Sequence, residues 1–283
     1  MNAIEIRDLR KEYPGFLLDN INFDLPSGSI VGLVGENGAG KSTTIKLIMN
    51  AVKKDGGSVT VLGVDNESPA FRQLKNDIGV VLDDAYFPET LSALNVGRVI
   101  ANTYANWDGA EYRRLLSWFS LPDKKAFSDY SRGMKMKLAI ACALSHRPRL
   151  LILDEATSGL DPMVRDEVID VFNDFTREED HSILLSSHIV SDLEKICDYV
   201  AFIHRGKLLL MEEKDRLLEE YAVARLPESQ LADLPEEAVC GVKKGSYGVE
   251  ALVKRELVSP AFALERTTLE EIILFLAKGD RQI

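Results

Sequence analysis

Apolar residues follow different spacings along the chain, and each spacing predicts a different kind of element. Runs that alternate or are continuously apolar predict strands at 4–7, 21–25, 29–34, 58–63, 77–84, 149–155, 182–188 and 198–209, the last with a turn inside it. From about 88 to 147 the apolar positions recur at helical spacing instead. This pattern favours an α/β domain that contains a helical insertion, with a small antiparallel sheet formed by the first strands.

The last part of the chain has a less regular pattern. It predicts a short helix at 216–221, strands near 221–226, 239–243 and 248–253, and a final helix at 268–277. We therefore divide the chain into a main domain at 1–215, whose helical part lies at about 88–147, and a small α/β appendage at 216–283.

Composition and charge narrow the classes of protein. The chain has 283 residues, of which 46% are hydrophobic, so it is long enough to bury a sizeable core. A net charge of −11 argues against broad, charge-driven contact with nucleic acid or with an anionic bilayer. No apolar run approaches 18 residues, so we expect the chain not to cross a membrane by itself. Three widely separated cysteines predict buried thiols in a reducing cytoplasm.

A glycine-rich loop follows the predicted strand at 29–34. Its glycines let the backbone curl so that successive N–H groups point into one concavity, and the helix after it adds the positive end of its dipole. Lys41 would then reach the β- and γ-phosphates of a nucleotide, and the Ser42 hydroxyl would bind Mg²⁺. A flexible glycine-rich turn is the less favoured alternative, because a strand precedes the loop and helical spacing follows it. The predicted nucleotide-binding residues here are Gly35, Glu36, Asn37, Gly38, Ala39, Gly40, Lys41, Ser42 and Thr43.

Two acidic residues end the apolar run at 150–153. Hydrolysis of a Mg²⁺-bound nucleotide needs one acid to hold the metal and a second to activate water, roles that suit Asp154 and Glu155. His188 ends the next predicted strand; a lone histidine there is more often structural, but its place in the same sheet favours contact with the γ-phosphate. Asp83 and Asp84 end the strand at 77–84, and a functional role and a solvated strand terminus both remain open for them.

Late in the helical insertion, before the acidic strand, lies a segment with the sequence Tyr-Ser-Arg-Gly-Met, at 130–134. With this segment the chain resembles the nucleotide-binding subunit of an ATP-binding cassette (ABC) transporter, and is most similar to the single-cassette subunits of small bacterial exporters. The resemblance covers about residues 3–215 and keeps the family's order of motifs. That order is the aromatic residue Tyr13, the phosphate loop, the Q-loop position Asp83, the signature Ser131, Arg132, Gly133 and Met134, the acidic strand to Glu155, the D-loop with Asp161, and the switch histidine His188.

The resemblance implies a P-loop NTPase of the ABC type, with a RecA-like core, an antiparallel β subdomain and a helical subdomain. It implies ATP hydrolysis coupled to transport, with ATP and Mg²⁺ as cofactors and Ser42, Asp83 and Asp154 at the metal. Tyr13 would stack on the purine, although a half-buried strand tyrosine is an equally open interpretation.

The implied partners are a second ATP-binding subunit, in a homodimer or heterodimer, and an integral membrane permease, but no nucleic acid. Two such subunits would enclose two ATP molecules, each held by the phosphate loop of one and the signature of the other. The chain would lie at the cytoplasmic side of the cell membrane as a peripheral subunit, with docking near Phe87, Pro88 and Leu91.

Two residues depart from the family pattern. Arg132 stands where the signature has glycine, so it needs room or a partner, and Asp83 stands where the Q-loop has glutamine, unless the register moves to Asp84. The main alternative function is a nucleotide-gated switch with little hydrolysis. A soluble non-transport ABC ATPase ranks last, because the chain carries one cassette and no heptad insertion.

Overall fold

The computed structural model describes residues 1–83, 87–245 and 248–279. Its strands are β1 Asn2–Tyr13, β2 Phe16–Pro26, β3 Ile30–Val34, β4 Gly56–Val61, β5 Val64–Asp65, β6 Ile78–Val81, β7 Leu150–Asp154, β8 Ser182–Ser187, β9 Tyr199–His204, β10 Lys207–Glu213, β11 Tyr221–Leu226, β12 Val239–Gly245, β13 Gly248–Lys254 and β14 Leu264–Arg266. Its α-helices are α1 Lys41–Ile48, α2 Phe71–Leu74, α3 Ala93–Ile100, α4 Gly109–Trp118, α5 Arg132–Leu144, α6 Pro162–Phe175, α7 Val190–Ile196, α8 Lys214–Glu220 and α9 Leu269–Gly279.

The central sheet has the order β10-β9-β3-β8-β7-β6, and all its neighbours run parallel except β9 and β10. Every residue of β3, β7 and β8 is buried, as expected of parallel strands covered on both faces. Alternate residues enter different cores: Leu151 and Leu153 of β7 pack in one cluster, and Leu150 and Ile152 in the other. Because β3, β8, β7 and β6 run parallel, their carboxyl ends meet at one edge of the sheet.

The predicted antiparallel sheet forms at the start of the chain, in the order β2-β1-β4-β5. Its first two strands are longer than predicted, with 12 and 11 residues. Register shifts interrupt their pairing, and Asp8 and Asn20 have positive φ values of 52°. Each irregularity moves the following side chains to the other face of the sheet, so simple alternation stops before the strand does.

Helices α3, α4 and α5 occupy the region that was predicted to be helical, and each begins at a capping side chain. Ser92 accepts a hydrogen bond from Asn95 N, and Asp108 accepts from the N–H groups of residues 110 and 111. These bonds lower the pKa of the Asp108 carboxyl, the backbone bond from Glu111 most strongly. Buried apolar residues of all three helices join the core cluster that also covers one face of β7.

The C-terminal region forms a second antiparallel sheet, β12-β13-β11-β14, together with α9. One face of this sheet has its own apolar cluster, which includes Ala222 and Val249, whereas Val223 and Leu252 belong to the larger core of the chain. Strand β14 was not predicted. The boundary at residue 215 stays a prediction, since this shared core crosses it. Among the described residues, no helix combines the length and the apolarity that spanning a bilayer requires.

Candidate functional site

The loop between β3 and α1 contains the residues predicted to form a phosphate cradle. Gly35 and Gly40 are required by close packing: an added Cβ would lie 2.3 Å from the carbonyl oxygen of Ile203 at Gly35 and 2.8 Å from Leu18 Cδ1 at Gly40. Gly38 and Gly40 also have positive φ values, of 81° and 118°. No side chain caps the start of α1, where a helix leaves its first N–H groups without an intrahelical partner.

Lys41, the first residue of α1, is buried and crosses this loop. Its ammonium group donates to the carbonyl oxygen of Gly35 at 2.7 Å, and it lies 3.2 Å from Glu155 Oε1. The charge of Lys41 is therefore held between the phosphate loop and the end of β7, as a residue that meets the terminal phosphates of a nucleotide requires.

Glu155 joins three of the predicted residues into one cluster. Its Oε1 contacts Lys41, and its Oε2 lies 2.6 Å from His188 Nδ1. It is held in a left-handed backbone conformation with φ of 54°, a conformation that costs about 1 kcal/mol or more in a non-glycine residue. The bonds from Glu155 N to Ser186 O and to Ser186 Oγ, both 3.1 Å long, stabilise that conformation. The structure thus brings Lys41, Glu155 and His188 together.

Asp154 lies beside this cluster and is also buried. Its Oδ1 accepts a hydrogen bond from Ser186 Oγ at 2.5 Å, so one serine positions both acidic residues at the end of β7. Sequence reasoning missed Ser186, although a polar residue at the end of an otherwise apolar strand is a usable signal. Hard carboxylate and hydroxyl oxygens, here of Asp154 and Ser42, are the donors that Mg²⁺ prefers, so the residues at this edge fit that ion.

The two residues that depart from the family pattern contact each other. Arg132 Nη2 lies 3.2 Å from Asp83 Oδ1, and both side chains are just over half exposed. Ser131 caps α5 by accepting from Met134 N at 3.3 Å, and Gly133 faces Val164 of α6. The predicted signature residues therefore form the start of helix α5, and Asp83, which follows β6, lies beside them. Asp84, the alternative Q-loop residue, lies outside the described residues.

Asp161 caps α6 by accepting a hydrogen bond from Val164 N at 3.1 Å. The segment before it is held by Arg165, which donates to the carbonyl oxygen of Leu160 at 3.3 Å and to the buried Asp192 at 3.4 Å. Sequence reasoning missed both Arg165 and Asp192. Their contact joins α6 to α7, so the segment before Asp161 is connected to the helix that follows His188.

Tyr13 lies at the end of β1 with more than a third of its surface exposed, and Lys11 Nζ is 5.3 Å from its ring centroid. Lys11 Nζ also donates to Asp55 Oδ1 at 3.0 Å, so the cation beside the ring is already paired. Its predicted role in stacking stays a prediction.

A family model described as "ABC transporter" matches residues 18–158. A lantibiotic transport ATP-binding protein of Streptococcus pyogenes is 35% identical over 215 residues, which are 75% of this chain and 91% of the relative. This chain belongs to the ABC transporter family. A bacitracin transport ATP-binding protein of Enterococcus faecalis is 33% identical, over 73% of this chain and 68% of the relative. A solved ATP-binding subunit of an ABC transporter matches with a TM-score of 0.68 and 30% identity, over 76% of this chain and 91% of that one.

Membership of this family decides between the functional classes that the sequence left open. The protein has the ABC type of P-loop NTPase fold and is an ATP-binding subunit of an ABC transporter, with ATPase activity. These statements confirm the resemblance, the fold class and the enzyme class predicted above. The roles of individual residues are not tested by the comparisons and stay predictions.

Proposed function

We propose that this chain binds Mg²⁺·ATP at the edge of the central sheet and hydrolyses it between two ATP-binding subunits. The observation that supports this most strongly is the cluster of the buried Lys41 and Glu155 with the exposed His188, and with the buried Asp154 beside it. A lysine, two carboxylates and a histidine at the mouth of a phosphate loop are the groups that phosphoryl transfer to water requires.

The contacts suggest how the groups divide the work. Lys41 turns from Glu155 to the β- and γ-phosphates of ATP, because a polyphosphate offers it more negative charge than one carboxylate. Glu155 then has an oxygen free to accept a proton from water, while His188 stays within 2.6 Å of its other oxygen and orients it. Ser42 and Asp154 would hold Mg²⁺, which neutralises charge on the phosphates. The metal role predicted for Asp83 stays a prediction.

The signature residues support the second part of the proposal, a dimer that closes around ATP. The start of α5 carries N–H groups and the positive end of a helix dipole, and Ser131 and Arg132 are exposed there. An exposed anion-binding helix start within one chain suits the γ-phosphate of a nucleotide that the second chain holds. Whether the second chain is a copy of this one or a different subunit is left to the test below.

Glu155→Gln tests both parts at once, because it removes the proton acceptor but keeps the size of the side chain. We expect phosphate release from ATP to fall by about 100-fold or more, and size-exclusion chromatography with Mg²⁺·ATP to show a stable dimer. Glu179→Gln, an exposed acid, is the matched control and should behave like the parent. A Glu155→Gln protein that releases phosphate like the parent would contradict the role of Glu155, and one that stays monomeric at every ATP concentration would contradict a dimer of two copies of this chain.

The transport partner is proposed to be a separately encoded membrane permease, which would place this chain at the cytoplasmic face of the membrane. Docking was predicted near Phe87, Pro88 and Leu91. Phe87 is half-buried and packs edge-on against Phe127 with 5.5 Å between ring centroids, so a charge at Phe87 would also disturb the helical region. Pro88 is exposed, so Pro88→Asp is the cleaner test of docking. Loss of co-purification with the permease, with ATP binding retained, is expected, and unchanged co-purification would exclude this surface.

The names of the relatives also concern the choice of the transported molecule, the cargo. Two relatives of nearly equal similarity, at 35% and 33% identity, are named for lantibiotic and for bacitracin transport. We infer that the ATP-binding chain does not select the transported molecule, and that the permease does. Exchange of this chain for either relative in a reconstituted transporter should leave the cargo unchanged.

A further inference from the structure

Asp83 and Arg132 are 49 positions apart in sequence, and the whole helical region from α3 to the start of α5 lies between them. Asp83 stands two residues after the end of β6, at the edge of the central sheet where the candidate site lies. Arg132 is the first residue of α5. Their hydrogen-bonded ion pair, with Nη2 and Oδ1 3.2 Å apart, therefore connects the central sheet directly to the signature helix.

Arg132 also reaches a third segment. A Cβ added to Gly159, in the D-loop before α6, would lie 2.7 Å from Arg132 Nη1 and 2.9 Å from its Cζ. The guanidinium plane therefore lies against the backbone of Gly159, whose φ of 66° is one that glycine adopts freely. One side chain at the start of α5 thus contacts both the segment after β6 and the D-loop of its own chain.

We propose that the Asp83–Arg132 ion pair is a positioning contact that fixes the start of α5 against the D-loop, so that both meet a second chain in one preformed arrangement. The proposal rests on the proposed function, since it assumes that the signature of one chain serves the nucleotide of another. Arg132 acts here through the backbone of α5, and Asp83 acts through Arg132.

Physical chemistry limits the size of the effect. Both side chains are more than half exposed, and exposed ion pairs contribute little to stability, so the fold does not depend on this one. Removing it leaves the start of α5 and the D-loop to be ordered when two chains meet, and association then carries that entropy cost. We therefore expect a two- to fivefold weakening of dimer formation, about the range of an exposed pair, and unchanged binding of ATP to the single chain.

A double-mutant cycle tests the proposal in the full-length chain carrying Glu155→Gln. Asp83→Asn, Arg132→Gln and the double variant are compared by the protein concentration at which half the chain is dimeric in saturating Mg²⁺·ATP. Each single variant should raise this concentration about two- to fivefold, and the double variant should be no worse than the single ones, because the same contact is lost in all three. Arg132→Lys keeps the charge and should retain most of the parent's dimerisation.

The matched control is the pair Arg149–Asp77, with its Nη2 and Oδ2 atoms 3.3 Å apart, because Asp77 directly precedes β6 at the opposite edge of the same sheet. Asp77→Asn and Arg149→Gln should leave dimerisation unchanged. Additive effects of Asp83→Asn and Arg132→Gln, or no effect of either, would overturn the proposal while the ATP-dependent dimer itself remains. If the Glu155→Gln parent forms no dimer with ATP, the proposed dimer of two copies of this chain fails instead. Thermal unfolding and ATP binding at low protein concentration show whether each variant is folded.

Discussion

Two ion pairs in this protein have the same length and very different surroundings. Lys41 Nζ and Glu155 Oε1 are 3.2 Å apart, as are Arg132 Nη2 and Asp83 Oδ1. The side chains of the first pair are 5% and 11% exposed, and those of the second are 56% and 55% exposed. Since the distances are equal, the difference in burial is what separates the two pairs most clearly.

Because the first pair is buried, water cannot solvate either charge if the contact between them is lost. A buried charge that loses its partner keeps the cost of its desolvation, whereas an exposed charge is solvated again at once. The Lys41–Glu155 pair therefore forms a site in which a charged ligand interacts strongly, and the Asp83–Arg132 pair can form and break at little cost. The buried pair suits catalysis on a charged ligand, and the exposed pair suits small movements of one segment against another.

The largest effect is expected from the buried pair. Lys41→Ala removes the ammonium group that the phosphates would meet, so hydrolysis should fall by about 100- to 1000-fold, the range for loss of one strong electrostatic group, and ATP should bind more weakly. Phosphate release and equilibrium ATP binding measure the two effects. Lys46→Ala, an exposed lysine in the last turn of the same helix, is the control and should match the parent. Unchanged turnover in Lys41→Ala would contradict the site.

A smaller loss of turnover is expected when the serine that holds the two acidic residues at the end of β7 is replaced. Ser186→Ala leaves Asp154 Oδ1 without its 2.5 Å hydrogen bond, and an unsatisfied buried group costs about 1–3 kcal/mol. We expect the free energy of unfolding to fall by about that amount and turnover to fall about tenfold. Ser182→Ala is the matched control: Ser182 lies at the other end of β8, where its Oγ accepts from Gly28 N. Ser182→Ala should lower stability alone, and a comparable loss of turnover there would remove the distinction.

A high salt concentration should weaken the exposed ion pair and leave the buried one unaffected. At about 1 M NaCl the screening length is about 3 Å, so the coupling between Asp83 and Arg132 in the double-mutant cycle should fall from about two- to fivefold to almost none. The loss of turnover in Lys41→Ala, measured against the parent at the same salt concentration, should persist because solvent ions do not reach a buried pair. Equal salt sensitivity of both would show that burial does not distinguish them.

The smallest effect concerns Asp83 alone. If its carboxylate also assists Mg²⁺, directly or through water, Asp83→Gln should flatten the Mg²⁺ dependence of hydrolysis and leave ATP affinity unchanged at saturating metal. Arg132→Gln is the control, because it breaks the same ion pair and keeps the carboxylate. Superimposable Mg²⁺ titrations of Asp83→Gln and the parent would remove the metal role and leave the positioning contact untouched.

Local patterns predicted most of the elements because they reflect burial. The continuous apolar runs of β7 and β8 correspond to strands covered on both faces, and the helical spacing before them to α3, α4 and α5. Strand β14 was missed because it has three residues, only one of them apolar. The extra length of β1 was missed because its irregular register near Asp8 breaks the alternation on which the prediction depends.

The sequence by itself determined the phosphate loop, the acidic end of β7 and the order of the family motifs, because each of these is a property of neighbouring residues. Only the tertiary structure decided which of these residues meet. Lys41, Glu155 and His188 come together because β3, β7 and β8 are adjacent in one parallel sheet. Arg132 finds Asp83, and Ser186 finds Asp154, across 49 and 32 positions of chain. Such pairings depend on the packing of whole elements, and no local spacing records them.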